Sequence, residues 1–461
     1  MAKRPPLRCW WNGLHVADFE QTAKNGARLR CRYTAEALNR FAGNAPLLSC
    51  SLPVGSKPMD ATNFLHGLLP EGQALDALAR RAKAATYDTY ALLAAAGRDC
   101  AGALIITADA EPPEARPGRV EPYDDSTFTA EVDELEDNPL GLHDDSELSI
   151  AGLQNKLLLV DLGDGWWGRP VHGYPSTHIL KAEDLRHPGL VRAEAASLTL
   201  AHDVGLTAAR PQVVTANGRD CIIIVRYDRN VIDGVVHRVH QEDACQALDI
   251  DADQFGRKGK YERNGGPSLR QVADLLDRYA DNRTHELHTL VRQLTYTTVV
   301  GNADWHGKNL SVLHDMEGRI RLAPLYDTVP TRFFPQIKAQ GAVNVAGEFN
   351  VDRITVDQIA KEATTWGLPL SDARDIATST VEALREAAPS RPLIADYIVA
   401  RAEHLLNGPA PVAIAMDRAA TRAANQSPTP TCEGVYSDGR KCRNQPLPDS
   451  RFCGRKHGRS D

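Results

Sequence analysis

Hydrophobic periodicity changes once along this chain, and the change limits the folds open to it. Upstream of about Gln241 the apolar runs are short and strand-like. KLLLVDL, THILKAED and CIIIVRYDR follow one another, with a turn at GDGWWG between the first two. Past Gln241 the pattern is helical, in SLRQVADLLDRYA, HELHTLVRQLTYTTVV, VEALREAA and LIADYIVARAEHLLNG. A strand-rich piece followed by a helix-rich piece predicts an α+β chain with two lobes and a crevice between them. At 461 residues the chain also exceeds what one core normally serves, so further domains are expected.

Composition shifts mark the boundaries. Residues 1–110 read as a small α+β unit, with a helix at EGQALDALARRAKAA and a strand at ALIITA. Residues 111–147 hold 13 acidic and 2 basic residues and five prolines, which predicts a surface connection with one short helix in TFTAEVDELED. The strand-rich small lobe is expected over 148–230, where VRAEAASLTLAHDVG is a helix stopping at Gly205. The helical large lobe follows over 231–416. A small, polar, proline-bearing linker covers 417–431, and a separate basic tail covers 432–461.

Charge and cysteine usage exclude several classes. Lys+Arg 53 against Asp+Glu 60 leaves a net charge of -7, so the whole chain is no nucleic-acid sheath. No apolar stretch approaches the roughly 18 residues that span a bilayer, and no apolar segment follows the basic start MAKRPPLR as a secretory signal would require. Six of the nine cysteines are scattered between Cys9 and Cys245 among apolar neighbours. They read as buried thiols of a reducing compartment, which places the protein in the cytoplasm.

The stretch VVGNADWHGKNLSV, residues 299–312, packs hydrogen-bonding side chains between two apolar runs. Asp304 and Asn309 have the offset of Asp and Asn in the protein-kinase loop H-R-D-x-x-x-x-N. Phosphoryl transfer needs a carboxylate to orient and deprotonate the attacking hydroxyl, and oxygen ligands to hold magnesium against phosphates. Asp304 is the candidate base and Asn309 a candidate ligand. Asp327, in LAPLYDTVP, is the second candidate ligand, delivered by a strand, and Lys308 a candidate to neutralise developing phosphate charge. The structural alternative is a polar connection whose Asp and Asn cap backbone groups. Upstream residues favour the chemistry. Lys181 ends the run HIL, and Glu194 lies 13 residues later on the next helix, like the lysine–glutamate pair that positions nucleotide phosphates.

With these residues the chain resembles the HipA family, serine/threonine-kinase toxins of bacterial toxin–antitoxin pairs, from about residue 5 to 410. The pieces in common are NFLHGLLPEG, GRDCAGAL, SIAGLQNK, HILK, RYDR, HQEDACQAL, KYERNGG, GNADWHGKN and PLYDT. The resemblance implies a two-lobed, protein-kinase-like fold with a small antitoxin-facing N-terminal domain, using ATP and Mg2+. It implies that Ser149 is autophosphorylated and that Ala151, Gly152, Leu153, Gln154, Asn155 and Lys156 form the phosphate loop. Lys181 and Glu194 would serve the nucleotide phosphates, and Val225, Arg226 and Tyr227 the adenine hinge. His306 and Tyr326 would border the nucleotide. Asp304 is implied as base, with Asn309 and Asp327 on magnesium. Two departures stand out. The loop has only Gly152 where protein kinases have G-x-G-x-x-G, and Val225 replaces the family's acidic hinge residue, so the hinge contact is expected through backbone atoms. The implied partner is a HipB-type helix-turn-helix antitoxin and, through it, operator DNA. The implied substrate is a protein, an aminoacyl-tRNA synthetase being the best-known target in the family. Two other readings remain open: a small-molecule kinase of the aminoglycoside-phosphotransferase type, and a non-catalytic co-repressor of a DNA-binding partner.

The tail falls outside the resemblance. Cys432, Cys442, Cys453 and His457 give C-x9-C-x10-C-x3-H, a donor set that suits tetrahedral zinc. About 30 residues cannot fold without such a staple. The alternative is a disordered basic tail with incidental cysteines.

Overall fold

Leu7, Cys9 and Trp11 are buried and alternate with half-buried neighbours, and this period of two builds the first sheet. The computed structural model describes residues 4–408 apart from 153 and 185–187. Leu153, the linker, and Cys432, Cys442, Cys453 and His457 therefore lie outside the described residues. β1 (Leu7–Trp11), β2 (Leu14–Gln21), β3 (Leu29–Tyr33), β4 (Met59–Asp60) and β5 (Ile105–Thr107) pair antiparallel in the order β4-β3-β2-β1-β5. Phe64 and Leu65 of the helix Thr62–Gly67, and Leu75 and Leu78 of the helix Gly72–Arg81, share one core with this sheet.

The second sheet has six antiparallel strands: β6 (Arg119–Pro122), β7 (Lys156–Asp161), β8 (Trp167–Val171), β9 (His178–Ala182), β10 (Pro211–Ala216) and β11 (Arg219–Val225). Their order is β10-β11-β9-β7-β8-β6. β7 is covered on both faces, which explains its unbroken apolar run. Leu157 and Leu159 join a core with Tyr123, Val132 and Leu135, while Leu158 meets Leu148 and Ile150. The acidic segment 111–147 thus differs from the surface connection its charge predicts. It supplies the edge strand β6 and the helix Asp125–Asp133, because Tyr123, Val132 and Leu135 are spaced to reach the sheet while most of the carboxylates face out. Pro122 and flanking charges suit an edge that should not recruit another strand.

Beyond the hairpin β12 (Arg229–Ile232) and β13 (Val235–Arg238), the large lobe is helical but not wholly so. β14 (His240–Asp243), β15 (Ser311–His314) and β16 (Ile320–Leu322) form a three-stranded sheet. Strands of three or four residues carry too little periodicity to read from sequence. The helices Leu269–Tyr279, Arg283–Val300, Val356–Thr364, Leu370–Ala387 and Ala395–Asn407 pack into the largest core, with Trp305, Trp366 and Tyr296 inside it.

The N-terminal unit is pinned to this lobe by a buried carboxylate. Glu242 on β14 accepts from the Cys50 amide at 2.7 Å, from His314 Nε2 at 3.0 Å and from the Ser49 hydroxyl. Among the described residues, no helix is long and apolar enough to cross a membrane. Cys9, Cys31, Cys50, Cys100, Cys221 and Cys245 are free, buried thiols.

Candidate active site

The polar loop begins where the helix Arg283–Val300 ends. Gly301 caps that helix in the left-handed region at φ 69°, and a Cβ there would collide with the Tyr397 hydroxyl and Arg332. The chain then turns on Asn302, whose Oδ1 accepts from the Asp304 amide at 3.0 Å. The Asn302 side-chain amide donates to the Asp327 carbonyl at 3.3 Å, so one residue ties the two acidic positions together. Tyr261 donates its hydroxyl to Asp304 Oδ1 at 2.8 Å. Asn309 donates to the Asp304 carbonyl at 3.0 Å and borders the cavity. The Asp304 side chain stays 54% exposed, open to the crevice. Desolvation there still pushes its pKa up, with Tyr261 opposing and Asp327 adding repulsion.

Opposite this loop, β9 delivers Lys181 and the helix Leu190–Asp203 delivers Glu194. The Lys181 ammonium lies 2.9 Å from Glu194 and 2.6 Å from Asp327. Burial would raise the Asp327 carboxyl, but the adjacent ammonium outweighs it and holds the group at about 2. Glu194 moves the other way. It is 1% exposed against 33% for Asp327, and its burial outweighs the same cation at a longer distance. The same cation therefore favours the ionised form more strongly at Asp327 than at Glu194. Asp327 does not end a strand, as its sequence context predicts. It follows an isolated bridge between Ala208 and Leu325 and adopts φ 52°, a left-handed conformation uncommon for a non-glycine residue.

A cavity of about 600 Å³ brings these groups together with most of the predicted loop and hinge residues. Ala151, Gly152, Gln154 and Lys156 line it, as do Val225, Arg226, Tyr227, His306, Lys308, Asn309 and Tyr326. Lys156 donates to the Ala151 carbonyl at 2.6 Å, and burial followed by repulsion from Lys181 lowers its pKa to about 8. His306 is held neutral: burial, then the Lys260 charge, brings it down to about 3, and among the described residues its Nδ1 has no hydrogen-bond partner. Tyr227 and Tyr326 stack at a tilt with centroids 5.4 Å apart. Ser149 is fully buried, and its hydroxyl donates to the Leu68 carbonyl of the N-terminal unit at 2.7 Å.

Two predicted side chains are engaged elsewhere. Lys308, expected to neutralise phosphate charge, is 6% exposed and sits 3.2 Å from Asp243, 3.4 Å from the Gly67 carbonyl and 3.9 Å from Glu71. Arg226 turns its guanidinium into a buried network with Asp228 and Ser176, leaving only its backbone at the hinge. The Val225 and Arg226 amides are themselves spent on the Arg210 and Thr177 carbonyls, at 3.0 and 2.9 Å. The sequence motifs assign no role to Asn302 or Tyr261. The N-A-D spacing of an Asx turn marks Asn302, whereas Tyr261 carries no local signal, being 43 residues from its partner.

Residues 148–388 match the HipA-like C-terminal domain, and residues 7–107 match the HipA N-terminal domain. The chain is 36% identical over 392 residues to a Sinorhizobium fredii protein named "Putative kinase Y4mE", covering 82% of this chain and 90% of that protein. The serine/threonine-protein kinase toxin HipA of Shewanella oneidensis is 30% identical over 355 residues, 71% of this chain and 79% of the toxin. A chain in the Shewanella oneidensis complex of HipA, HipB and operator DNA aligns with a TM-score of 0.71 at 25% identity, covering 87% of this chain and 96% of that one. Two lobes around one crevice, an N-terminal unit pinned to the larger lobe, and these matches lead to one assignment: the chain belongs to the HipA family of kinases, with their kinase-like fold.

Proposed function

We propose that this protein is an ATP-dependent serine/threonine protein kinase and the toxin of a toxin–antitoxin pair. The observation that carries the reading is the shared cavity: Lys181, bridging Glu194 and Asp327, borders the same space as Asp304 and Asn309. Asp304 takes the proton of the acceptor hydroxyl, a role its raised pKa favours over an ordinary surface carboxylate. Lys181 meets the nucleotide phosphates, held by Glu194, and the loop 151–156 closes over them. His306, Tyr326 and the 225–227 segment border the nucleoside. Among the described residues, the second carboxylate oxygen of Asp327 and the side-chain oxygen of Asn309 have no hydrogen-bond partner; such hard oxygen donors fit magnesium. Held by these residues, magnesium would neutralise phosphate charge.

Ser149 is the proposed autophosphorylation site and switch. Its hydroxyl now donates to a carbonyl and is fully buried. Phosphorylation removes the Oγ proton that makes this bond and adds about -1.5 to -2 charges, so the phosphoserine cannot remain in that buried position, and the loop beside it must open. The proposed partner is a helix-turn-helix antitoxin on operator DNA, supported by the Shewanella oneidensis complex of HipA and HipB. The proposed substrate is a protein, with an aminoacyl-tRNA synthetase as first candidate.

Incubation with labelled ATP, magnesium and a cell lysate tests the reading. Label should appear on a protein band and, by mass spectrometry, on Ser149. Asp304→Asn or Asp327→Asn should lower transfer by about 10² or more without changing the melting temperature much. Transfer within a few-fold of wild type in either variant would sink the assigned roles.

A further inference from the structure

The sequence motif KYERNGG begins at Lys260, a residue to which the mechanism above gives no part. Lys260 is buried and borders the same cavity as Asp304. Its backbone carbonyl accepts from the Gly307 amide at 3.0 Å, and its neighbour Tyr261 donates to Asp304. The residue is thus fastened to the catalytic loop on two sides. Its charge is felt at both Asp304 and His306.

The ammonium makes one hydrogen bond among the described residues, to Glu71 Oε2 at 3.1 Å. An ammonium has three donors, so two remain for a ligand. The other buried lysines of the cavity are placed differently. Lys181 is shared by two carboxylates, Lys308 is held by Asp243 and a carbonyl, and Lys156 bonds within the phosphate loop. Glu71 reaches this point from the N-terminal unit. Its amide donates to the Gly152 carbonyl at 3.3 Å, so the residue that holds Lys260 also touches the phosphate loop. Its other oxygen, Oε1, is buried without a hydrogen bond among the described residues, 3.9 Å from Lys308.

We propose that Lys260 contacts the phosphoryl group during its transfer, and that Glu71 is the positioning residue that holds the ammonium for that contact. The inference rests on the kinase reading above. In the step, the acceptor oxygen bonds to the γ-phosphorus as the bond to the β,γ-bridging oxygen breaks. The acceptor's proton goes to Asp304, and ADP leaves with the bond's electron pair. Lys260 keeps its proton throughout and meets the charge that spreads over the equatorial oxygens, the role Lys308 is too engaged to fill. The kinase site is then incomplete without the N-terminal unit, since that unit supplies Glu71.

The test uses the full chain, with lysate protein as acceptor and a non-hydrolysable ATP analogue for binding. Lys260→Met should lower kcat by about 10²-fold or more, with analogue Kd within about threefold of wild type. Lys260→Arg should recover at least about a tenth of the activity, as a retained cation would. Glu71→Gln should lower kcat on its own yet add less than about twofold in the Lys260→Met background, because both act through one contact. A Lys260→Met protein with kcat near wild type, or one whose defect lies wholly in analogue Kd, overturns the assignment. Should Lys260→Met fail to fold, a fully active Glu71→Gln overturns it equally. A wild-type protein inert toward ATP would overturn the kinase reading and this inference together, whereas an active wild type with indifferent variants overturns this inference alone.

Discussion

Lys156 shows how far burial and like charge together can tune a single residue. Placed at the first position of β7 and crowded by Lys181 and Lys308, with Asp327 and Glu71 only partly compensating, its ammonium titrates at about 8. The sign follows directly. The protonated form binds a polyanion better, so affinity for ATP should be full below that value and fall as the pH rises through it. Between pH 7 and 9.5 the Kd for ATP should rise about tenfold, and Lys156→Arg, charged throughout, should flatten the curve. Equal slopes in the two proteins, read by equilibrium binding, would remove Lys156 from nucleotide recognition. The contrast with Lys308 is instructive. Both are lysines of the same cavity, but two carboxylates face Lys308 and raise its pKa, so its charge persists and is already committed.

Between elements, the decisive contact is a charged one. Asp99, in the segment leading from the helix Thr89–Ala96 to β5, is fully buried among Arg226, Arg229 and Arg238 of the hinge and hairpin. Burial would raise its carboxyl, but the three guanidiniums outweigh that and hold it at about 2. Asp99→Asn should therefore cost about 3–5 kcal/mol at pH 7, because it leaves buried cations uncompensated. A depressed carboxyl stabilises the fold fully above its unfolded value near 4 and loses that contribution as the pH falls toward 2. The gap between wild type and variant in denaturant unfolding should accordingly shrink from pH 7 to pH 3. A gap that stays constant would mean the carboxylate's charge does not matter to the fold. β7 makes the complementary point through packing: its doubly covered apolar run was readable, while the partners on one of its faces came from an acidic segment that charge counting assigned to solvent.

For the whole molecule, the expectation is a partner. The alignment with a chain of the HipA, HipB and operator DNA complex extends over 87% of this protein, and the N-terminal unit is fixed to the large lobe through Glu242. Affinity purification from the native cell should return a small DNA-binding protein at near-equal molar amounts; a preparation that elutes as bare monomer speaks against it. What the sequence determined unaided is local. The five-residue offset of Asp304 and Asn309 lies within one loop, and Lys181 and Glu194 stand on consecutive elements, so spacing suffices to bring each pair into register. Only the tertiary structure decided the rest. Asp327 pairs with Lys181 across 146 residues, Lys308 is committed to Asp243 across 65, and Lys260 meets Glu71 across 189. A buried charge must take whichever partner the packing brings within about 4 Å. Which elements pack together is set by the cores, and no periodicity along the chain records it.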